Sequence, residues 1–69
     1  MKYVVIIEET LNGGFSAYVP DLPLCFTVGE TIDEVKANIK DAVELYLEEM
    51  QSDGLAAPKP SVQAALVEV

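Results

Sequence analysis

The 69-residue chain has no histidine, arginine or tryptophan, and its only cysteine is Cys25. One cysteine cannot form an internal disulfide, and without histidine the usual zinc ligand sets cannot be assembled. Four lysines stand against 12 acidic residues, for a net charge of −8, so the clustered cations that bind phosphates are missing. We therefore expect no metal, no cofactor and no direct contact with nucleic acid.

A long apolar segment is missing as well. The N-terminal apolar run, Tyr3–Ile7, ends at Glu8 and Glu9, which is too short for a signal peptide or a membrane span. We expect a cytoplasmic protein with a reduced thiol and no membrane contact.

The length predicts one domain, residues 1–69, close to the lower size limit for an unaided core. Because neither a disulfide nor a metal can support that core, the 51% apolar composition favours a homodimer, a homotetramer or a protein partner. An acidic surface suits a basic partner through long-range attraction. The same acidity also keeps a small protein in solution without any partner.

The residue pattern predicts an α+β fold of order β-β-β-α-β, an antiparallel meander with one helix packed on one face. The predicted strands are Tyr3–Ile7, Phe15–Val19, Cys25–Val28 and Val62–Val69, and the helix follows Thr31 and stops at 52–54. The first and last strands are apolar on both sides, so we expect strand 1 to be central in the sheet. One helix covers only one sheet face, and the other face is then an apolar interaction site.

Local signals support these boundaries. Asn12-Gly13-Gly14 is typical of a hairpin turn, and the two prolines of segment 20–23 predict a rigid, non-helical loop. Thr31 and Glu34 have the spacing of a capping box. An apolar stripe then follows at helical spacing, formed by Ile32, Val35, Ile39, Ala42, Val43, Tyr46 and Met50.

Catalysis has little support. Glu8, Glu9 and Asp21 are the acidic residues from which a metal-dependent nuclease could be built, and this is only a remote alternative. Strand ends are often acidic because they are solvated, and no histidine lowers the pKa of Cys25. We expect a protein that is not an enzyme.

Residues 2–50 resemble the N-terminal domain of HicB-type antitoxins and their stand-alone relatives. The resemblance rests on Asn12-Gly-Gly-Phe15, Tyr18-Val-Pro-Asp-Leu-Pro23, Cys25, Thr27, Gly29-Glu-Thr31, Glu34, Asn38 and Ala42. The family usually has glycine where this chain has Leu24, and a small residue where it has Val35.

The resemblance implies a partial RNase H-like fold without the catalytic carboxylates, and a non-catalytic antitoxin that binds and neutralises a small basic mRNA-cleaving toxin of HicA type. Longer family members add a DNA-binding module. Only 15 residues follow Gly54, so we expect no separate DNA-binding domain. An alternative is an orphan oligomeric regulatory or structural protein of the same fold that has no toxin partner.

The predicted contacts with the toxin or with a second copy cluster around the proline-containing loop and strand 3. They are Asp21, Leu22, Leu24 and Phe26, with Leu45 and Tyr46 on the helix as weaker candidates. Phe26 and Tyr46 also suit simple core positions, which is the favoured interpretation for both. Leu45 lies off the apolar stripe, where an isolated exposed leucine is common and a contact with a second chain is the alternative.

Overall fold

A computed structural model describes residues 1–69 and contains three strands followed by one helix. The elements are β1 (Ile6–Glu9), β2 (Phe15–Tyr18), β3 (Phe26–Gly29) and α1 (Ile32–Ser52). Both strand pairs are antiparallel and the sheet order is β1-β2-β3. The α+β class and the three-stranded meander are thus confirmed.

The β1–β2 turn confirms the predicted hairpin. Gly13 has φ of +88°, a value that glycine adopts without strain because it lacks a Cβ. Its amide donates to the Thr10 carbonyl over 3.1 Å, and the Thr10 amide donates to the Gly14 carbonyl over 2.9 Å. These bonds close the turn and fix the register in which Glu9 faces Phe15.

The sheet has one covered and one uncovered face. Neighbouring residues across strands share a face, so Ile7, Ala17 and Thr27 form a row beneath the helix. Ala17 in this row is buried. Two alternate rows point to the uncovered face. One row consists of Ile6, Tyr18 and Phe26, and the other of Glu8, Ser16 and Val28.

The buried core is small and entirely apolar: Ala17, Val19, Leu22, Cys25, Val35 and Ile39. The helix supplies two of its residues, as its apolar stripe predicted, although Ile32 at the start of that stripe is exposed. Gly29 permits the close approach of helix and sheet, because a Cβ there would lie 2.8 Å from the backbone nitrogen of Val35.

Both ends of α1 are capped by local sequence. The Thr31 hydroxyl accepts from the Glu34 amide over 3.0 Å, which confirms one half of the predicted capping box; the return bond from the Glu34 carboxylate is not formed. At the other end Gly54 has φ of +75°, as predicted. The amides of Gly54 and Leu55 donate to the carbonyls of Gln51 and Met50, which is the Schellman arrangement.

Two predictions about the strands are wrong. Strand 1 begins only at Ile6 and lies at an edge of the sheet, with β2 in the centre. Continuing the register, Val5 would face Val19 and Val4 would face Pro20. The Val19 amide already donates to the Cys25 carbonyl, and proline has no N–H to donate.

The predicted fourth strand, Val62–Val69, does not form within the single chain. Its alternating apolar pattern gives it the propensity to form a strand, but a strand also needs a free sheet edge within reach. Leu66, Val67 and Val69 are exposed to solvent.

Candidate partner-binding surface

The uncovered sheet face presents a cluster of large apolar side chains. Tyr18, Phe26 and Val28 are all exposed, and Phe26 retains 67% of its accessible surface. Tyr18 and Phe26 are paired neighbours on β2 and β3, so their rings lie side by side. We call Tyr18, Phe26 and Val28 the outer apolar cluster. Exposed apolar clusters of this kind typically mark interaction sites.

The loop between β2 and β3 extends this cluster. It is closed by three backbone hydrogen bonds of 3.1 Å, from Val19 to Cys25, from Leu22 to Val19 and from Cys25 to Leu22. Leu22 is buried beneath the loop, whereas Leu24 is 90% exposed and has φ of +65°. The core therefore holds the loop from below while Leu24 projects beside Phe26.

A shallow groove of about 350 Å³ runs along this side of the loop, and six of its eight lining residues are apolar. Leu24 and Phe26 line it together with Tyr18. Two of the predicted contact residues, Leu24 and Phe26, are thus brought together on one accessible surface. The core position favoured for Phe26 is wrong, because β3 is an edge strand whose outer face no other element covers.

Leu22 and Asp21, the other two predicted contact residues near the loop, both make contacts within the chain. Leu22 is 1% exposed and belongs to the core, so its placement among the contact residues is corrected. The Asp21 carboxylate accepts from the Ser61 hydroxyl, from the Ser61 amide over 3.0 Å and from the Val62 amide over 3.2 Å. The bond from the Ser61 hydroxyl, followed by that from its amide, lowers the pKa of Asp21. Asp21 therefore anchors the C-terminal segment to the loop.

The two helix candidates differ in their surroundings. Tyr46 is half-buried and packs against the core, as its favoured interpretation predicted. Leu45 is 56% exposed and lines a small hollow with Glu48, Glu49 and Asp53. The Leu45 face is therefore strongly acidic and lies apart from the outer apolar cluster.

The three acidic residues of the nuclease alternative do not lie together. Glu8 and Glu9 are consecutive on β1 and point to opposite faces of the sheet, and Asp21 follows β2 at the other end. No group of three or more metal-ligating side chains is close enough to hold an ion. Burial of Cys25 raises the pKa of its thiol, which opposes formation of the nucleophilic thiolate. No helix is long and apolar enough to cross a membrane.

Tyr18 and Val28 were not predicted as contact residues. The alternation of side chains along each strand could have identified them. Tyr18 points to the face opposite Phe15, Ala17 and Val19, and Val28 shares a face with Phe26. What the sequence did not state was which of the two faces the helix would cover.

Comparison with known proteins identifies the family. The family model described as the HicB-like antitoxin of bacterial toxin-antitoxin systems matches residues 3–68. The chain therefore belongs to the HicB-like antitoxin family.

Relatives match over much of their lengths. The UPF0150 protein Ta0767 of Thermoplasma acidophilum is 37% identical over 67 residues, which is 97% of each chain. The UPF0150 protein ssr1765 of Synechocystis is 39% identical over 84% of this chain and 73% of its own. Among solved structures, a chain of the HicA3 and HicB3 toxin-antitoxin complex superposes with a TM-score of 0.74 and 30% identity, covering 91% of this chain and 72% of that one.

Proposed function

We propose that this protein is a non-catalytic antitoxin that binds and neutralises a small basic ribonuclease toxin of HicA type. The observation that carries the proposal is the likeness, at 30% identity over 91% of the chain, to a protein solved in a toxin-antitoxin complex. The net charge of −8 supports a basic partner, because opposite charges accelerate association.

The proposed contact surface is the outer apolar cluster together with Leu24. It combines aromatic rings and an exposed leucine, the kinds of side chain that dominate binding energy when they become fully desolvated. Glu8 lies on the same sheet face, so an apolar centre with an acidic margin faces the partner. Rigid backbone in the loop means that little ordering is needed on binding.

The test uses a HicA-type toxin taken from the neighbourhood of the gene or, where none is encoded there, from a relative's toxin-antitoxin pair, with inhibition of its RNA cleavage as the readout. We expect the antitoxin to inhibit cleavage and to form a complex whose association rate falls as salt is raised. Absence of both inhibition and complex formation would contradict the proposal and leave the orphan alternative. Rescue of growth on co-expression with the toxin is the corresponding test in cells.

A matched pair of variants locates the surface. Phe26→Glu places a charge in the outer apolar cluster, and Leu45→Glu makes the same change at a similarly exposed residue on the helix. We expect Phe26→Glu to weaken toxin binding about 30-fold or more, the size of a hot-spot loss, and Leu45→Glu to change it little. The opposite ranking would move the toxin contact to the acidic helix face.

A further inference from the structure

A second apolar groove, of about 600 Å³, lies between the N-terminal strand and the helix. Seven of its ten lining residues are apolar, and we call it the β1–α1 groove. Its floor is formed by Tyr3, Val5, Ile7, Ile39, Val43 and Leu47. The groove exists because β1 is the edge strand on this side, so the sheet stops before the apolar surface of the helix is covered. A further strand beside β1 would close it.

The chain contains a segment with the properties of that strand. Residues 62–69 would present apolar side chains on both faces of a strand, and they pair with no strand in the structure. Leu66 is fully exposed, at 104% of its reference area. An unpaired apolar strand and an unpaired sheet edge in one molecule are complementary, because adding the strand satisfies backbone groups and buries side chains together.

The C-terminal segment does not occupy the β1–α1 groove of its own chain. The Tyr3 hydroxyl donates to the Pro58 carbonyl, which places residue 58 beside the segment that precedes β1. By residues 61 and 62 the chain has reached Asp21 on the β2–β3 loop. Asp21 follows β2, whereas the free edge of β1 is on the side opposite β2. The three bonds to Asp21 therefore hold the start of the segment away from that edge.

Charge supports the same pairing. Lys36 and Lys40, two of the four lysines in this acidic chain, line the β1–α1 groove together with Glu44, so its charged side chains have a net charge of +1. Glu68 shares a strand face with Leu66, because side chains alternate along a strand. With Leu66 on the groove floor, Glu68 lies one strand repeat further on, about 6.6 Å away.

We infer that residues 62–69 of each copy lie as a strand against β1 of a second copy, with Leu66 in the β1–α1 groove and Glu68 beside Lys36 and Lys40. The exchange is reciprocal, so both copies make the same contacts, as in a two-fold symmetric dimer. The eight residues of the segment and the ten that line the groove give each copy about 18 interface residues, close to the 20–30 of a standard stable interface. This inference does not depend on the toxin.

The first experiment measures the solution mass of the full chain and of two variants at tens of micromolar. Leu66→Glu puts a charge into the β1–α1 groove, and Val67→Glu puts the same charge on the opposite face of the same segment. We expect the unmodified chain to be at least dimeric, above its 7.5 kDa monomer mass. Leu66→Glu should raise the dissociation constant about 30-fold or more, whereas Val67→Glu should leave it nearly unchanged. A monomeric unmodified chain, or equal effects of the two variants, would overturn the inference.

A second experiment identifies the occupant directly and does not depend on any variant folding. In a mixture of isotope-labelled and unlabelled chains, we expect intermolecular nuclear Overhauser effects between the Leu66 methyls and the Val43 methyls. The same contact found only within one chain, or no contact at all, would refute the exchange. Charge reversal supplies a further check: Glu68→Lys should weaken the dimer, and the combined Glu68→Lys and Lys40→Glu chain should recover part of the loss.

Discussion

Leu24 carries the backbone feature with the clearest energetic consequence. Its φ of +65° lies in the left-handed region, which costs an L-residue roughly 1–2 kcal/mol because Cβ approaches the following carbonyl oxygen. The side chain is 90% exposed, so shortening it removes almost no buried area. Substitutions at this position therefore report the backbone cost alone.

We expect Leu24→Gly to be more stable than Leu24→Ala. Both remove the exposed side chain, but only glycine relieves the strain. Glycine also loses about 0.5–1 kcal/mol through the greater freedom of its unfolded chain. Setting this against the relieved 1–2 kcal/mol leaves a net gain of about 0.5–1 kcal/mol, or about 2–8 °C in Tm for a domain of this size.

The assay is urea and thermal unfolding followed by circular dichroism, with all three chains at one protein concentration. Equal concentration matters because self-association makes Tm concentration-dependent. Leu24→Ala should lie within about 0.5 kcal/mol of the unmodified chain, as is usual for exposed sites. If the glycine variant were no more stable than the alanine variant, residue 24 would not be strained in solution and the description of the loop would be wrong.

Three further changes test other parts of the fold. Gly29→Ala should lower the free energy of unfolding by about 1–3 kcal/mol, because its Cβ would meet Val35 backbone; a loss no larger than that of Val28→Ala, measured in urea, would contradict this. Thr31→Ala should cost about 1 kcal/mol through the lost N-cap, whereas Thr31→Ser, which keeps the hydroxyl, should be nearly neutral. The lowered pKa of Asp21 means that its bonds to the C-terminal segment are fully present above the ordinary value of 3.8 and are lost as pH falls through the lowered value. Hydrogen exchange of the Val62 amide, corrected for intrinsic rates, should show this loss of protection. Asp21→Asn should remove the pH dependence of the protection. An Asp21 pKa measured at or above 3.8 would refute the prediction.

Features that depend on near neighbours in the chain can be predicted from the residues alone. The turn at Gly13, the Thr31 cap and the Gly54 stop follow from the conformations these residues accept and the bonds they make locally. The period of apolar residues separated strand from helix, because the two backbones repeat at different intervals. The family signature, which lies mostly between Asn12 and Ala42, predicted the antitoxin family.

The way these elements pack depends on contacts between residues far apart in the chain, which the residue pattern does not specify. Strand 1 and segment 62–69 have similar apolar patterns, and pattern gives propensity but not pairing order. Pro20 and the Val19–Cys25 bond shorten the pairing of β1 with β2, and β1 lies at the edge because no strand pairs with its other side. The position of the helix decides that Phe26 is exposed while Leu22, only four residues earlier, is buried. Segment 62–69 has the alternating apolar pattern of a strand and is unpaired in the single chain, because a pattern gives strand propensity but does not supply a partner strand.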